Sequence, residues 1–196
     1  AAEKWEYNED GTQLTLTLRE GMTFSSGDPV DAAAVAATLL RSKATPGAVQ
    51  SRLAAVADVV AQDDKTVVIS FSAFDPQFLD NLAQGPGAIG DPATMDEERT
   101  ATDPVGSGPF TLDVDKTVPG SSYVLVKRDD YWDADNVPFT TLTVKVLQDP
   151  TASLNALQAG ELNAATVQSQ VVSQLDASKF TITVNDAVAV GYLNIL

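Results

Sequence analysis

Residues 13–19, QLTLTLR, alternate strictly, with Leu14, Leu16 and Leu18 on one side and Thr15, Thr17 and Arg19 on the other. A period of two predicts a half-buried strand. Just upstream, Asn8-Glu9-Asp10-Gly11 predicts a tight turn back to Trp5-Glu6-Tyr7, with Asp-Gly supplying positive φ. Gly21 and Ser25-Ser26-Gly27-Asp28-Pro29 interrupt the pattern. The period then lengthens: DAAAVAATLLRSK predicts a helix capped by Asp31. Its apolar stripe is Val35 and Leu39 with Ala36 and Leu40, and Arg41 and Lys43 complement the C-terminal dipole. Thr45-Pro46-Gly47 ends it. Residues 56–61 and 66–72 predict two strands joined by the polar turn Asp63-Asp64-Lys65.

Asp75-Pro76 predicts a short helix through DPQFLDNLAQ, with Asp as N-cap and Pro at the first helical position. Residues 84–103 are rich in Gly, Pro and acids, lack periodicity, and form the best internal boundary. SYVLVKR (122–128) and LTVKVLQ (142–148) alternate as strands. Asp149-Pro150 repeats the cap-plus-Pro device, and Gly160 falls where a helix-terminating glycine belongs. Gln168–Leu175 predicts another short helix and residues 180–184 a strand. Helices and strands mix without a regular βαβ period, so the predicted class is mixed α/β (α+β) rather than a Rossmann-type sheet.

Composition narrows the function. A net charge of −15 argues against nucleic acid, which needs clustered Lys and Arg. The one basic doublet, Lys127-Arg128, is followed directly by Asp129-Asp130. No apolar run approaches membrane-spanning length, so direct membrane insertion is not expected. With no Cys there is no disulfide or thiolate, and with no His the commonest general base and transition-metal ligand are both missing. No cofactor is expected. The 196 residues begin in strand-like sequence without a leader and stop abruptly at Tyr192-Leu193-Asn194-Ile195-Leu196, which reads as a piece of something longer.

Three features invite chemistry. Gly106-Ser107-Gly108 resembles a phosphate-cradling loop, but Pro109 deletes an N–H, no Lys follows, and Phe110–Val114 is strand-like. A glycine turn into a strand is the expectation, with Gly relaxing φ and Pro fixing it. The acidic groups Asp63-Asp64, Asp96-Glu97-Glu98 and Asp129-Asp130 with Asp133 and Asp135 read as solvated turns; the last lacks the glycine and terminal Glu of an EF-hand loop. Ser42-Lys43 and Ser178-Lys179 are adjacent pairs, the wrong geometry for a serine nucleophile and its base. Trp5, Tyr131 and Trp132 are expected to anchor the core.

Several of these segments together resemble family 5 of the extracytoplasmic solute-binding proteins, the peptide- and nickel-type receptors of ABC importers. EKWEYNEDGTQLTLTLREGMTFSSGDPVDAAAVAATLLR is similar to that family's signature region: a Trp-containing strand, an Asp-Gly turn, a strand ending Leu-Arg-x-Gly, Phe-x-x-Gly-x-Pro and a helix. DPVGSGPFTLDV resembles its Gly-Thr-Gly-Pro-Tyr segment, with Ser107 and Phe110 as mild substitutions. LVKRDDYWDADNVPFTTLTVKVLQDPTASLNALQAGELN resembles its Arg/Asn-x-x-Tyr-Trp motif, its strand ending in Asp and its Ala-Leu-x-Ala-Gly-Glu-Leu-Asp helix end. Ala33-Ala34 replace the usual acidic pair, Asn163 replaces the usual Asp, and the loop from Ser42 to Leu53 is short.

The resemblance implies part of a type II periplasmic-binding-protein-like fold, from the N-terminal half. Residues 1–103 would form a smaller α/β subdomain and 104–196 part of the larger lobe framing the cleft, with the C-terminal lobe absent. Gly106–Phe110 would be the turn between them. It implies a non-enzymatic receptor outside the cytoplasmic membrane, periplasmic or lipid-tethered. That receptor would bind a peptide or similar solute and deliver it to a membrane permease. Tyr192 and Asn194, on the final strand, are the candidate ligand contacts; strand packing is their alternative role. A nickel chelate, oligosaccharide or haem ligand, a carboxylate-based hydrolase and an adhesion or scaffold module are the competing readings.

Overall fold

The computed structural model describes residues 1–167 and 172–183. The chain divides into two compact units, Ala1–Lys145 and Val146–Leu196. In the first unit, β1 (Ala2–Tyr7), β2 (Gln13–Leu18), β3 (Val56–Ala61) and β4 (Thr66–Phe71) form an antiparallel sheet in the order β1-β2-β4-β3. The expected alternation holds in β2, whose three leucines are buried. Leu14 and Leu16 lie opposite Ile69 and Val67 of β4, which are equally buried. An antiparallel sheet with one apolar face needs one covering layer, and α1 (Ala32–Ala44) supplies it, packing over β3 and β4. Ala32, Ala34 and Ala36 are all buried, so the helix can approach the sheet closely while Val35 and Leu39 fill the space. Leu40 lies at the rim and is exposed.

Local polar chemistry sets where these elements begin and end. Asp31 accepts the Ala34 N–H at 2.7 Å, capping α1 as its position predicts. Gly11 takes φ +69°, the conformation the hairpin turn requires. Three Asp-Pro pairs share one device, each Asp carboxylate accepting the N–H two residues on: Asp75 from Gln77, Asp91 from Ala93 and Asp149 from Thr151. At 75–84 the device delays the helix, and α3 covers only Phe78–Leu82. A further short helix, α2 (Ala48–Arg52), follows Gly47 without a periodic signal long enough to predict it. β3 shows why VADVVA does not alternate: its register slips between Val56 and Asp58, so Val56 and Val59 both reach the core across a bulge.

A second antiparallel sheet in the same unit contains β5 (Phe110–Leu112), β6 (Ser122–Lys127) and β7 (Thr141–Lys145), in that order. Leu125 pairs with Leu112 on one side and Leu142 on the other, and Tyr123 pairs with Val144. One face is therefore apolar, while Thr111, Thr141 and Thr143 with Val124 and Val126 occupy the other. In the second unit, α4 (Pro150–Gln158) starts at the Asp149 cap, and Gly160 (φ +77°) follows its last turn. Residues 180–183 are not a strand; Asp176 accepts the N–H and hydroxyl of Ser178, and the Lys179 and Phe180 N–H groups bond back to its carbonyl. The predicted helix at Gln168–Leu175 falls partly outside the described residues, as does Val184.

The two tryptophans depart from expectation. Trp5 pairs with Leu16 and so faces the core side of the sheet, but it sits on edge strand β1, where the helical cover ends. It is 57% exposed. Trp132 is 41% exposed and carries the Arg19 guanidinium 4.3 Å above its ring, with Tyr131 at its side. Neither indole is a core anchor.

Removing the α1 cap with Asp31→Ala should cost about 1 kcal/mol. Asp31→Asn, which keeps an acceptor oxygen, should retain most of that, as read from urea unfolding midpoints.

Candidate functional site

The Gly106–Phe110 segment sits where three parts of the first unit converge. The Ser25 N–H donates to the Gly106 carbonyl at 3.0 Å, and Gly90 and Gly106 form an isolated β-bridge. The Arg128 N–H, just past β6, donates to the Pro109 carbonyl at 2.9 Å. Into this junction runs the Arg128 side chain, and the residue is only 5% exposed. Its guanidinium makes seven hydrogen bonds. Nη1 donates to the carbonyls of Thr23, Gly106 and Gly108, and Nη2 to the Phe24 carbonyl and the Thr23 hydroxyl. Nε and Nη2 also donate to the two carboxylate oxygens of Asp130, at 3.1 and 2.9 Å.

This geometry disposes of the phosphate reading on electrostatic grounds. The glycine loop aims carbonyl oxygens, not N–H groups, at the charge it holds, and that charge is an internal cation. It also corrects the expected role of the glycines. Neither Gly106 nor Gly108 has positive φ, and a Cβ on either would meet open space. The turn is held by the arginine, not by glycine's freedom. A planar fork with five donors suits several carbonyls converging from separate segments, which a lysine ammonium could not match.

The remaining charges are structural. Among the described residues no group of three metal-capable side chains comes together. Among the described residues the six carboxylates whose protonation is perturbed all move downward; for example, the Arg128 guanidinium holds Asp130 below the usual carboxylate range, the Lys116 ammonium does the same for Asp113, and the Ser178 hydroxyl for Asp176. A general acid needs the opposite shift. The acidic turns at Asp63 and Asp133–Asp135 behave as expected. Asp63 accepts the Lys65 and Thr66 N–H groups, and Asp133 accepts the Asn136 amide.

Two apolar hollows open on the first unit. One, of about 440 Å³, lies on the apolar face of the second sheet against Phe110, Tyr123 and Val144. The other, of about 340 Å³, lies beneath Trp5 among Leu16, Leu39 and Leu82. The second unit has a more polar hollow of about 700 Å³, with Asn163, Thr166, Lys179 and Thr183 among its lining residues. Tyr192 and Asn194 lie outside the described residues. Sequence reasoning placed Arg128 in the Arg/Asn-x-x-Tyr-Trp motif but missed its role. Lys127-Arg128-Asp129-Asp130 reads as a doublet whose charge is cancelled by its neighbours. The available signal was the position of Arg128, directly after the strand and at the head of the Arg-x-x-Tyr-Trp motif.

Comparison with known proteins gives this framework a lineage. The sequence model of bacterial extracellular solute-binding proteins, family 5 (middle region), matches residues 1–195. The chain belongs to that family. A probable peptide ABC transporter periplasmic-binding protein of Sinorhizobium fredii, y4tO, is 28% identical over 173 residues, covering 81% of this chain and 33% of that protein. The glutathione-binding protein GsiB of Escherichia coli K12 is 30% identical over 169 residues, covering 84% and 32%. Among solved structures, a nickel ABC transporter protein from Bacillus halodurans superposes with a TM-score of 0.73 at 30% identity, covering 88% of this chain and 35% of that one. The chain thus spans about a third of the length of the relatives it matches. The architecture is mixed α/β and agrees with one lobe of the type II periplasmic-binding-protein-like fold. These relatives are solute-binding components of extracytoplasmic transport, not enzymes.

Arg128→Ala should lower unfolding stability by more than about 3 kcal/mol, because four backbone carbonyls lose a buried donor. Arg128→Lys should recover only a minor part. Gly106→Ala and Gly108→Ala should each stay within about 0.5 kcal/mol of wild type, since neither φ nor space demands glycine.

Stability should also fall in acid. A carboxylate held below its unfolded value contributes stability above about pH 4, and that contribution is lost as pH falls through the folded value. Asp130→Asn should therefore flatten the decline in urea midpoint between about pH 5 and pH 2.5.

Proposed function

We propose that the chain is the N-terminal-half framework of an ABC-importer receptor that binds peptides or related solutes and delivers them to a membrane permease. The observation that carries this reading is the family match over residues 1–195, together with relatives named for peptide and glutathione binding that are about three times as long. In this reading residues 1–103 are a smaller subdomain and residues 104–196 part of the larger lobe, with Tyr192 and Asn194 reaching the cleft. A second lobe closes over the solute, and its differential affinity for the closed state drives the hinge. The lack of His in these 196 residues favours an organic solute over a directly ligated transition metal. The resemblance to a nickel transporter protein supports a metal-chelate ligand as the second reading.

The test is thermal unfolding of the full-length gene product with short peptides, nickel chelates and oligosaccharides. A true ligand at about a hundred times its Kd adds roughly 2.7 kcal/mol and raises Tm visibly. Peptides alone should do so. A shift with nickel chelate alone moves the protein to the second reading, and no shift with any of the three overturns the receptor assignment. In this reading the 196 residues alone should show no saturable peptide binding in the micromolar range, because the second lobe supplies the other half of the cleft.

A further inference from the structure

Among the described residues, the two sheets of the first unit do not share one buried apolar core. The cluster on the first sheet draws on residues from Leu14 to Ile89, with Val105 at its edge, and on none from β5, β6 or β7. Polar contacts cross between the sheets, and they converge on one residue. The Arg128 N–H holds the Pro109 carbonyl, tying the end of β6 to the start of β5. Its side chain reaches the Thr23 and Phe24 carbonyls at 3.1 and 2.9 Å, and those of Gly106 and Gly108 at 3.3 Å. The Ser25 and Asp91 N–H groups complete the joint, donating to the Gly106 and Val105 carbonyls at 3.0 and 3.2 Å. Arg128 is buried, so this joint is internal to the unit whatever else packs on its surface.

We propose that Arg128 is a positioning residue for solute binding: it sets the angle between the two sheets and, through that angle, the geometry of the cleft. It touches no solute and acts through the sheet it holds. A planar fork bonded in several directions resists both tilt and twist, whereas a point-like ammonium lacks that fixed geometry. The lever is long. β6 has six residues, about 20 Å of strand, so a tilt of about 10° at its Arg128 end moves Ser122 by roughly 3 Å. Binding groups need placement within about 0.5 Å. The inference rests on the receptor reading, in which residues 104–196 frame the cleft.

The test uses the full-length gene product. Kd is measured by calorimetry with short peptides, or with the nickel chelate or oligosaccharide where that is what raises the wild-type Tm. Arg128→Lys should raise Kd about tenfold or more. It should also speed hydrogen exchange at the Ser25 and Asp91 amides while the β2–β4 ladder keeps its protection. Thr23→Val removes only the hydroxyl lying between Arg128 and Asp130. It should raise Kd about threefold, and it decides alone where Arg128→Lys does not fold. Val67→Ala loosens the first sheet's core away from the joint, so it should lower Tm and leave Kd at the wild-type value. Unchanged Kd in the joint variants means that contacts elsewhere in the whole protein set the angle, and overturns the proposal. So does a rise in Kd that Val67→Ala matches, because loss of stability then explains it. A wild type that binds none of the three solute classes overturns the receptor reading, and this inference with it.

Discussion

The buried guanidinium of Arg128 is the interaction on which the architecture of the first unit depends. Two antiparallel sheets meet through loops rather than through a shared hydrogen-bond ladder. Loops that meet leave carbonyl oxygens pointing inward, and a buried carbonyl without a donor is costly. Arg128 supplies donors to four of them at once, from Thr23, Phe24, Gly106 and Gly108, while Asp130 offsets its charge at the solvent edge. The Arg19–Trp132 stack adds a second bridge between the same two regions at the surface. Arginine suits the position because its charge survives burial and its donors fan out in a plane.

The strong negative charge of the chain has a related explanation. Many of the aspartates act on the backbone: Asp31 and Asp149 cap helices, Asp63 closes a hairpin, Asp91 and Asp75 close Asp-Pro turns, and Asp113 and Asp176 bind the N–H groups that follow them. A carboxylate is the strongest small acceptor available for an orphan N–H. Acidic composition here therefore reflects turn-making as much as surface solvation. It also places stability on the ionised carboxylate, which is why acid should weaken the fold.

Within a family whose members are about three times as long, this framework has one feature out of character with the rest of its surface. Among the described residues three sheet edges are shortened, charged or bulged, and that of β7 is not. The same sheet also holds a hollow of about 440 Å³ on its apolar face.

The sequence by itself determined the elements. Period-two runs placed β2, β4, β6 and β7, Asp caps placed α1 and α4, and ordered motifs across nearly the whole chain identified the family. These are local properties, set by which side chains share a face and which residue satisfies the first free N–H. Tertiary structure alone decided what those signals left open. The bulge in β3 and the exposure of Trp5 depend on where α1 stops covering the sheet. The role of Gly106–Gly108 depends on an arginine some twenty residues away in the chain. Charge and spacing along a sequence show that an arginine is present, but only the fold shows that carbonyls from two distant segments, 23–24 and 106–108, converge on it, because the cost it offsets arises when those segments meet away from water.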